Sequence, residues 1–429
     1  MSIKEIKSDA LAERYYKINH DSGLTIYVYP KEGYSSTYAI FGTKYGSVNN
    51  TFKVDGKDTV RVPDGIAHYL EHKLFESEDG DAFSRYAKTG ANANAYTSFD
   101  KTCYLFSCTD NFEQSLEILL DFVQSPYFTD ETVAKEQGII GQEIKMYDDS
   151  PSWRVMFNML ENMYHNHPVK IDIAGTVESI AKITPDYLYT CYNTYYNLNN
   201  MVLCVAGNTT VDTVLSIADK MLKKSEYHTI DNIFDSEPDE VVAPYVEQKL
   251  PVGMPLFNLG FKEKAGEKRV DEKTLAYTEI LLFLLASSTS DLYRKLMDEN
   301  LINASFAYEF FEGEGFLATI FSGESRDPKK VADIIKQYIL DLKANGISSE
   351  EFEIAKRATY GDAVAALNST DHIANIIADF DFSDRELYTY IDAIATATLS
   401  DIESRLSQML FVDKSTLSVI KNESGGQYV

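Results

Sequence analysis

The chain repeats itself. Helical patterns at 112–123 and 130–146 return at 327–342 and 348–366. Ser348-Ser349-Glu350-Glu351 opens its helix as Thr129-Asp130-Glu131 opens the earlier one, an offset of about 219 residues (348 − 129). A long-period repeat of this kind means one structural unit built twice, each copy with its own core. Within each copy the elements follow one order: two strands, a pair of helices, two more strands, then further helices. Alternating, β-branched and aromatic runs at 24–30, 36–45, 103–108 and 202–206 read as strands. In the second copy, 246–250, 254–262, 304–310 and 315–322 do the same. This order predicts an α+β chain of two repeats, each an antiparallel sheet with helices on its faces. The stretch 224–245 is polar and acidic, with Pro238 and Pro244, and reads as a linker. The expected division is therefore 1–223, a linker at 224–245, and 246–429.

Composition narrows the class. Hydrophobic residues make up 44% of 429, enough for two cores. The net charge of −26 and the absence of basic clusters exclude a nucleic-acid surface, which must meet phosphates with cations. No run reads as a membrane span of ~18 apolar residues, so no membrane partner is expected. Cys103, Cys108, Cys191 and Cys204 have no metal-binding or redox spacing and sit in apolar runs, as buried free thiols do. The first residues have neither the apolar core of a signal peptide nor the basic character of an organelle presequence. A cytoplasmic location is expected.

The chemistry is concentrated at 63–76. Pro63 stops any upstream helix, and Asp64 is a good N-cap for a helix that follows. Ile66, Leu70 and Leu74 form one apolar stripe. His68 and His72 lie four apart on another face, with Glu71 beside them. At about 100° per residue the two imidazoles are ~40° apart and can converge on one point. By chance His-x-x-Glu-His arises in roughly one chain in a hundred of this composition. Two imidazoles beside a carboxylate are the start of a catalytic zinc site, which needs a third protein ligand and an open position. The helical run 129–146 offers Glu136 and Glu143, two turns apart on one face, and either could be that ligand. His165 and His167 lie in a loop-like segment with no acidic partner at ligand spacing. The run 90–97 is extended and small-sided, suited to a strand edge that takes a peptide as an added strand through Asn94 and Ala95.

His68-x-x-Glu71-His72 followed by Glu136-x6-Glu143 resembles the inverted-zincin metallopeptidases of the pitrilysin, insulysin and mitochondrial-processing-peptidase family. Asn94-Ala95-Tyr96-Thr97, Thr102-Cys103-Tyr104, Gln124-Ser125-Pro126-Tyr127-Phe128, His167-Pro168, Gly175 and the run 200–208 extend the match over residues 20 to 210. The resemblance implies a zinc endopeptidase for unfolded peptides, its fold half of a clam-shell chamber. His68, His72 and Glu143 become the ligands of one zinc ion per chain, Glu71 the base, and Glu136 a support to a ligand. Asn94, Ala95, Tyr96 and Phe75 become substrate contacts. Because a closed chamber takes four repeats, it also implies a homodimer or a heterodimer with a homologous chain. A non-catalytic subunit that holds peptides or supports a peptidase partner is the alternative from another class. The family often carries an Arg and a Tyr in the second copy to hold the substrate carbonyl. Here those positions hold Met297 and Ala304, with Arg294 and Tyr308 as nearby stand-ins.

Overall fold

The structure is a computed structural model, which describes residues 1–78, 80–266 and 268–422. The last residues of the expected second repeat, 423–429, lie outside the described residues. The first half contains β1 (Ser2–Ser8), β2 (Glu13–Asn19), β3 (Thr25–Pro30), β4 (Thr37–Thr43), α1 (Ile66–Leu74), α2 (Ala82–Thr89), β5 (Asn92–Thr97) and β6 (Thr102–Cys108). There follow α3 (Phe112–Val123), α4 (Asp130–Asp148), α5 (Pro151–Met163), α6 (Pro185–Tyr195), β7 (Met201–Gly207) and α7 (Val211–Met221). The second half contains β8 (Tyr245–Lys249), β9 (Leu256–Lys262), α8 (Glu272–Ala286), α9 (Asp291–Asp298), β10 (Ala307–Gly313) and β11 (Phe316–Glu324). It closes with α10 (Pro328–Asn345), α11 (Ser349–Ala366), α12 (Thr370–Phe382), α13 (Leu387–Thr396), α14 (Leu399–Gln408) and β12 (Ser415–Lys421).

The repetition is carried into the sheets. The first sheet runs β1-β2-β3-β7-β4-β6-β5 and the second β8-β12-β9-β11-β10. The last five strands of the first correspond in order to the five of the second. β9 begins 219 residues after β4 (256 − 37), and α12 begins 219 after α5 (370 − 151). Pairing is antiparallel except between β3 and β7 and between β8 and β12, which are parallel. In each sheet the exception joins the first and last strands of one repeat, which a long connection separates.

The compact units are not contiguous in sequence. One comprises Met1–Ile144, Asp172–Ile233 and Val364–Tyr388; the other comprises Lys145–Ile171, Phe234–Ala363 and Thr389–Val429. The segment holding α5 therefore belongs with the second sheet, where it packs on β12 and β9. The segment holding α12 belongs with the first, on β7 and β4. The divisions at 223 and 246 mark the sequence repeat, whereas the packed cores cross them. The acidic connection is itself anchored. Ile230–Asn232 pairs with Thr51–Val54, and Glu237 accepts the backbone N–H groups of His165, Asn166 and His167 at 2.7–2.8 Å.

Two readings of the sequence need correction. Asp64 does not cap α1; Gly65 holds the N-cap position without a side-chain bond. Asp64 instead accepts from Asn50 at 2.8 Å and Arg61 at 3.0 Å. The stretch Glu272–Asp298 is apolar and long enough to cross a membrane by composition, contrary to the expectation that no run is. It is divided into α8 and α9, and 67% of its most apolar window is buried in the fold, as core helices are. All four cysteines are buried free thiols.

Candidate metal centre and active site

α1 is held on every side. Ile66, Leu70 and Leu74 are buried as their stripe predicts, but Tyr69 and Lys73 on other faces are 0% exposed. Tyr69 donates to the Val133 carbonyl and Lys73 to that of Thr132, while Lys73 also pairs with Glu76. Both carbonyls lie in the first turn of α4. The start of α1 is fixed by two glycines at positive φ. A Cβ on Gly65 would lie 2.4 Å from the Ala174 carbonyl oxygen, and one on Gly175 2.6 Å from that of Asp64. Only glycine allows both that conformation and that approach.

α4 begins at a threonine cap, with Thr132 N–H donating to Thr129 Oγ1 at 3.2 Å. Val133, Ile140 and Ile144 are buried, and a neighbouring face carries Glu136 and Glu143. The latch through Tyr69 and Lys73 sets that face against the histidines. His68 Nε2 lies 3.8 Å from Glu143 Oε1, and His72 Nε2 lies 3.5 Å from Glu143 Oε2. The two rings are 4.6 Å apart at 62°. One ligand atom from each of His68, His72 and Glu143 falls within 4.8 Å of the others. Donors around one tetrahedral zinc at ~2.0–2.1 Å are separated by about 3.4 Å. The residues therefore fit zinc, and three ligands leave one position for chemistry.

Glu136 faces the other nitrogen. Its Oε1 is 3.0 Å from His72 Nδ1, so Nδ1–H donates and the Nε2 lone pair is turned to Glu143. His68 Nδ1 is buried with no hydrogen-bond partner among the described residues, so this ring lacks the carboxylate support that His72 has. Burial, and then the neighbouring His72, push the His68 pKa down to about 4, so the ring is neutral at pH 7 as a metal ligand must be. Burial also opposes charge on His72, but the Glu136 hydrogen bond and the surrounding carboxylates outweigh it and raise its pKa. Burial raises the Glu71 pKa, against the Thr97 hydrogen bond and the charge of His72.

β5 forms the outer edge of the first sheet beside α1. Thr97 Oγ1 donates to Glu71 Oε2 at 2.8 Å, tying this edge to the carboxylate. Thr97 and Ala95 share one face. Tyr96 is turned to the other, its hydroxyl 3.3 Å from Asn375 Oδ1, which holds the ring away from the Glu71 side. Asn94 is exposed, and Ala95 half-buried. Phe75 lies one turn beyond Glu71 and stacks on Phe83 at 4.4 Å, leaving Phe83 48% exposed.

Arg294 and Tyr308 belong to the other compact unit. Arg294 is exposed and pairs with Asp291 on its own helix, while Tyr308 is half-buried on β10, an edge of the second sheet. His167 accepts from Val169 N–H at 3.1 Å through Nδ1 and donates to the Glu314 carbonyl at 3.0 Å through Nε2, a structural role. Sequence reasoning missed the Thr97 bond and the Lys73 latch. A threonine closing a small-sided strand, and a lysine inside an apolar helix, were the available signals.

Residues 61–177 match the family described as insulinase (peptidase family M16), and residues 182–359 match the peptidase M16 inactive domain. The chain is 41% identical to an uncharacterized zinc protease, YmfH, of Bacillus subtilis, over 98% of this chain and 100% of that one. Its fold superposes on a putative M16-like peptidase from Alicyclobacillus acidocaldarius with a TM-score of 0.91, at 32% identity and 99% coverage of both chains. A peptidase M16 inactive domain from Pseudomonas fluorescens shares the fold alone, with a TM-score of 0.77 at 14% identity over 98% of both chains. A histidine-bearing first half, and a second half with no histidine between His228 and His372, agree with this division. The chain belongs to peptidase family M16, the family of its zinc-protease relatives.

Proposed function

We propose that the chain is a zinc-dependent endopeptidase that hydrolyses unfolded peptides docked as an added strand on β5. The observation that carries this is the convergence of His68, His72 and Glu143 beside a fourth group, Glu71, held by the edge strand itself. His68, His72 and Glu143 hold one zinc per chain, and Glu136 fixes the His72 ring. Bound there, zinc supplies Lewis acidity that activates water and polarises the peptide carbonyl. Glu71 accepts the proton of the attacking water and returns it to the departing amine. Thr97 occupies Oε2, which leaves Oε1 for that proton. A raised pKa suits a base that must next act as an acid. The β5 edge running through Asn94, Ala95 and Tyr96 aligns the peptide, with the outward main-chain groups of Ala95 pairing with it, and Phe75 offers an apolar contact near the scissile bond. Four unpaired cysteines suit a reducing compartment, and the cytoplasm is the proposed location.

Glu71→Gln tests the reading. The variant keeps the three zinc ligands and β5, so it should retain zinc and bind peptide. Its turnover of a quenched-fluorescence peptide library should fall by ~10² to 10⁴-fold. Near-normal turnover with zinc bound would sink this mechanism. A wild-type chain that binds zinc and peptide but cuts nothing would favour the non-catalytic subunit instead.

A further inference from the structure

The proposed substrate edge is already occupied at one donor. Ser98 N–H bonds the Lys101 carbonyl at 2.8 Å, and Thr97 stands opposite Thr102. Bonded and non-bonded pairs alternate in an antiparallel ladder. Tyr96 and Asn94 therefore turn their backbone groups to β6, and Ala93, Ala95 and Thr97 turn theirs to the open side. Ala95 is the middle of these three. Its N–H donates to Asn94 Oδ1 at 2.9 Å, the side chain of the preceding residue folded back over the edge. Two positions along, Thr97 holds Glu71. An added peptide strand needs outward N–H groups for its carbonyls. It cannot use that of Ala95 while the Asn94 carboxamide keeps it.

We propose that Asn94 is a removable cap on the substrate edge. Its Oδ1 satisfies the Ala95 N–H in the free protein and yields it to a peptide carbonyl on docking. Asn94 is exposed, so its amide exchanges one hydrogen bond for water when it swings away. The same cap blunts a flat, small-sided edge against unwanted strand pairing. The inference rests on β5 being the substrate edge, and it makes Asn94 a competitor of the peptide rather than a holder of it.

The test uses the full chain, zinc-loaded, in the Glu71→Gln background, with fluorescein-labelled casein as the unfolded probe. Adding Asn94→Ala should speed amide hydrogen exchange at Ala95 in the free protein. It should also tighten casein binding by about two- to tenfold, the worth of one neutral hydrogen bond. Unchanged exchange at Ala95 would show that no cap exists in solution. Faster exchange with unchanged or weaker binding would show that Asn94 does not compete, and would overturn the proposal. Ala95→Pro, which deletes the N–H, separates the two readings. Weakened binding would support the edge, whereas unchanged binding would remove β5 as the substrate site and the cap with it.

Discussion

Glu136 and Glu143 lie on one face of α4 but meet different atoms. Glu143 faces both Nε2 atoms, while Glu136 holds His72 Nδ1. Glu143→Ala should therefore abolish most zinc binding. Glu136→Ala should weaken it by only ~10 to 100-fold, as loss of a ligand's supporting partner does. Chelator competition on the two variants measures both, and full retention of zinc by Glu143→Ala would show that the third ligand is elsewhere. Thr97 acts on the base rather than the metal. Thr97→Val should leave zinc content unchanged and lower kcat by about ten- to a hundredfold, since a hydrogen bond to a charged group contributes about 1.5–3 kcal/mol. Steady-state kinetics beside metal analysis would separate these effects.

At the scale of elements, the site depends on how α1 is entered, and the second unit on how its own loops are braced. Gly65→Ala adds a Cβ at φ 89 within 2.4 Å of a carbonyl oxygen. It should cost about 2 kcal/mol or more and shift the thermal midpoint downward. His167 bonds the Val169 N–H of its own loop and the Glu314 carbonyl in the turn between β10 and β11, and is 1% exposed. Burial pushes its pKa down to about 4, below the ~6.5 of an unfolded histidine. The unfolded chain then binds the extra proton first as pH falls. The stability from neutral His167 is complete above pH ~6.5 and is lost on acidification toward pH ~4, up to roughly 3 kcal/mol. Urea titrations across that window should show the loss, and His167→Gln should flatten it. A slope unchanged by the substitution would assign the acid sensitivity to other groups.

At the scale of the molecule, the duplication is expressed as two sheets of matching strand order, and each core recruits a helix from the other half of the sequence. A fragment cut at 223 would lack α12, which covers β7 and β4, and would carry α5, whose packing partners β12 and β9 are absent. Expressed alone, residues 1–223 should therefore be unfolded or aggregated by circular dichroism and gel filtration, whereas co-expression with 224–429 should restore a folded complex. A monomeric, well-folded 1–223 fragment would contradict this. The dimer that the family resemblance implies, with a second copy or with a homologous chain, belongs to the same scale. We propose that a chamber of four repeats takes two chains, and light scattering at micromolar concentration should give twice the chain mass for a homodimer; a chain that is monomeric yet fully active would refute it.

What is local in this fold is written in the chain. Periodicity defined the strands and helices because side-chain alternation and helical stripes are written residue by residue. His68, Glu71 and His72 were legible as a group because one helix brings residues three and four apart together. The repeat was visible because cap residues and apolar stripes recur at one spacing. Between Glu136 and Glu143, the spacing left the third ligand open, since both share a face of α4. The tertiary structure decided which carboxylate faces which nitrogen, through Tyr69 and Lys73 of α1 bonding the first turn of α4. It also decided that Asp64 bonds Asn50 and Arg61 rather than capping α1, because the approach of Ala174 and Gly175 hands that position to Gly65. The exchange of α5 and α12 was beyond reach for the same reason. An amphipathic stripe states that a helix face must be buried, but not which of two similar sheets will bury it.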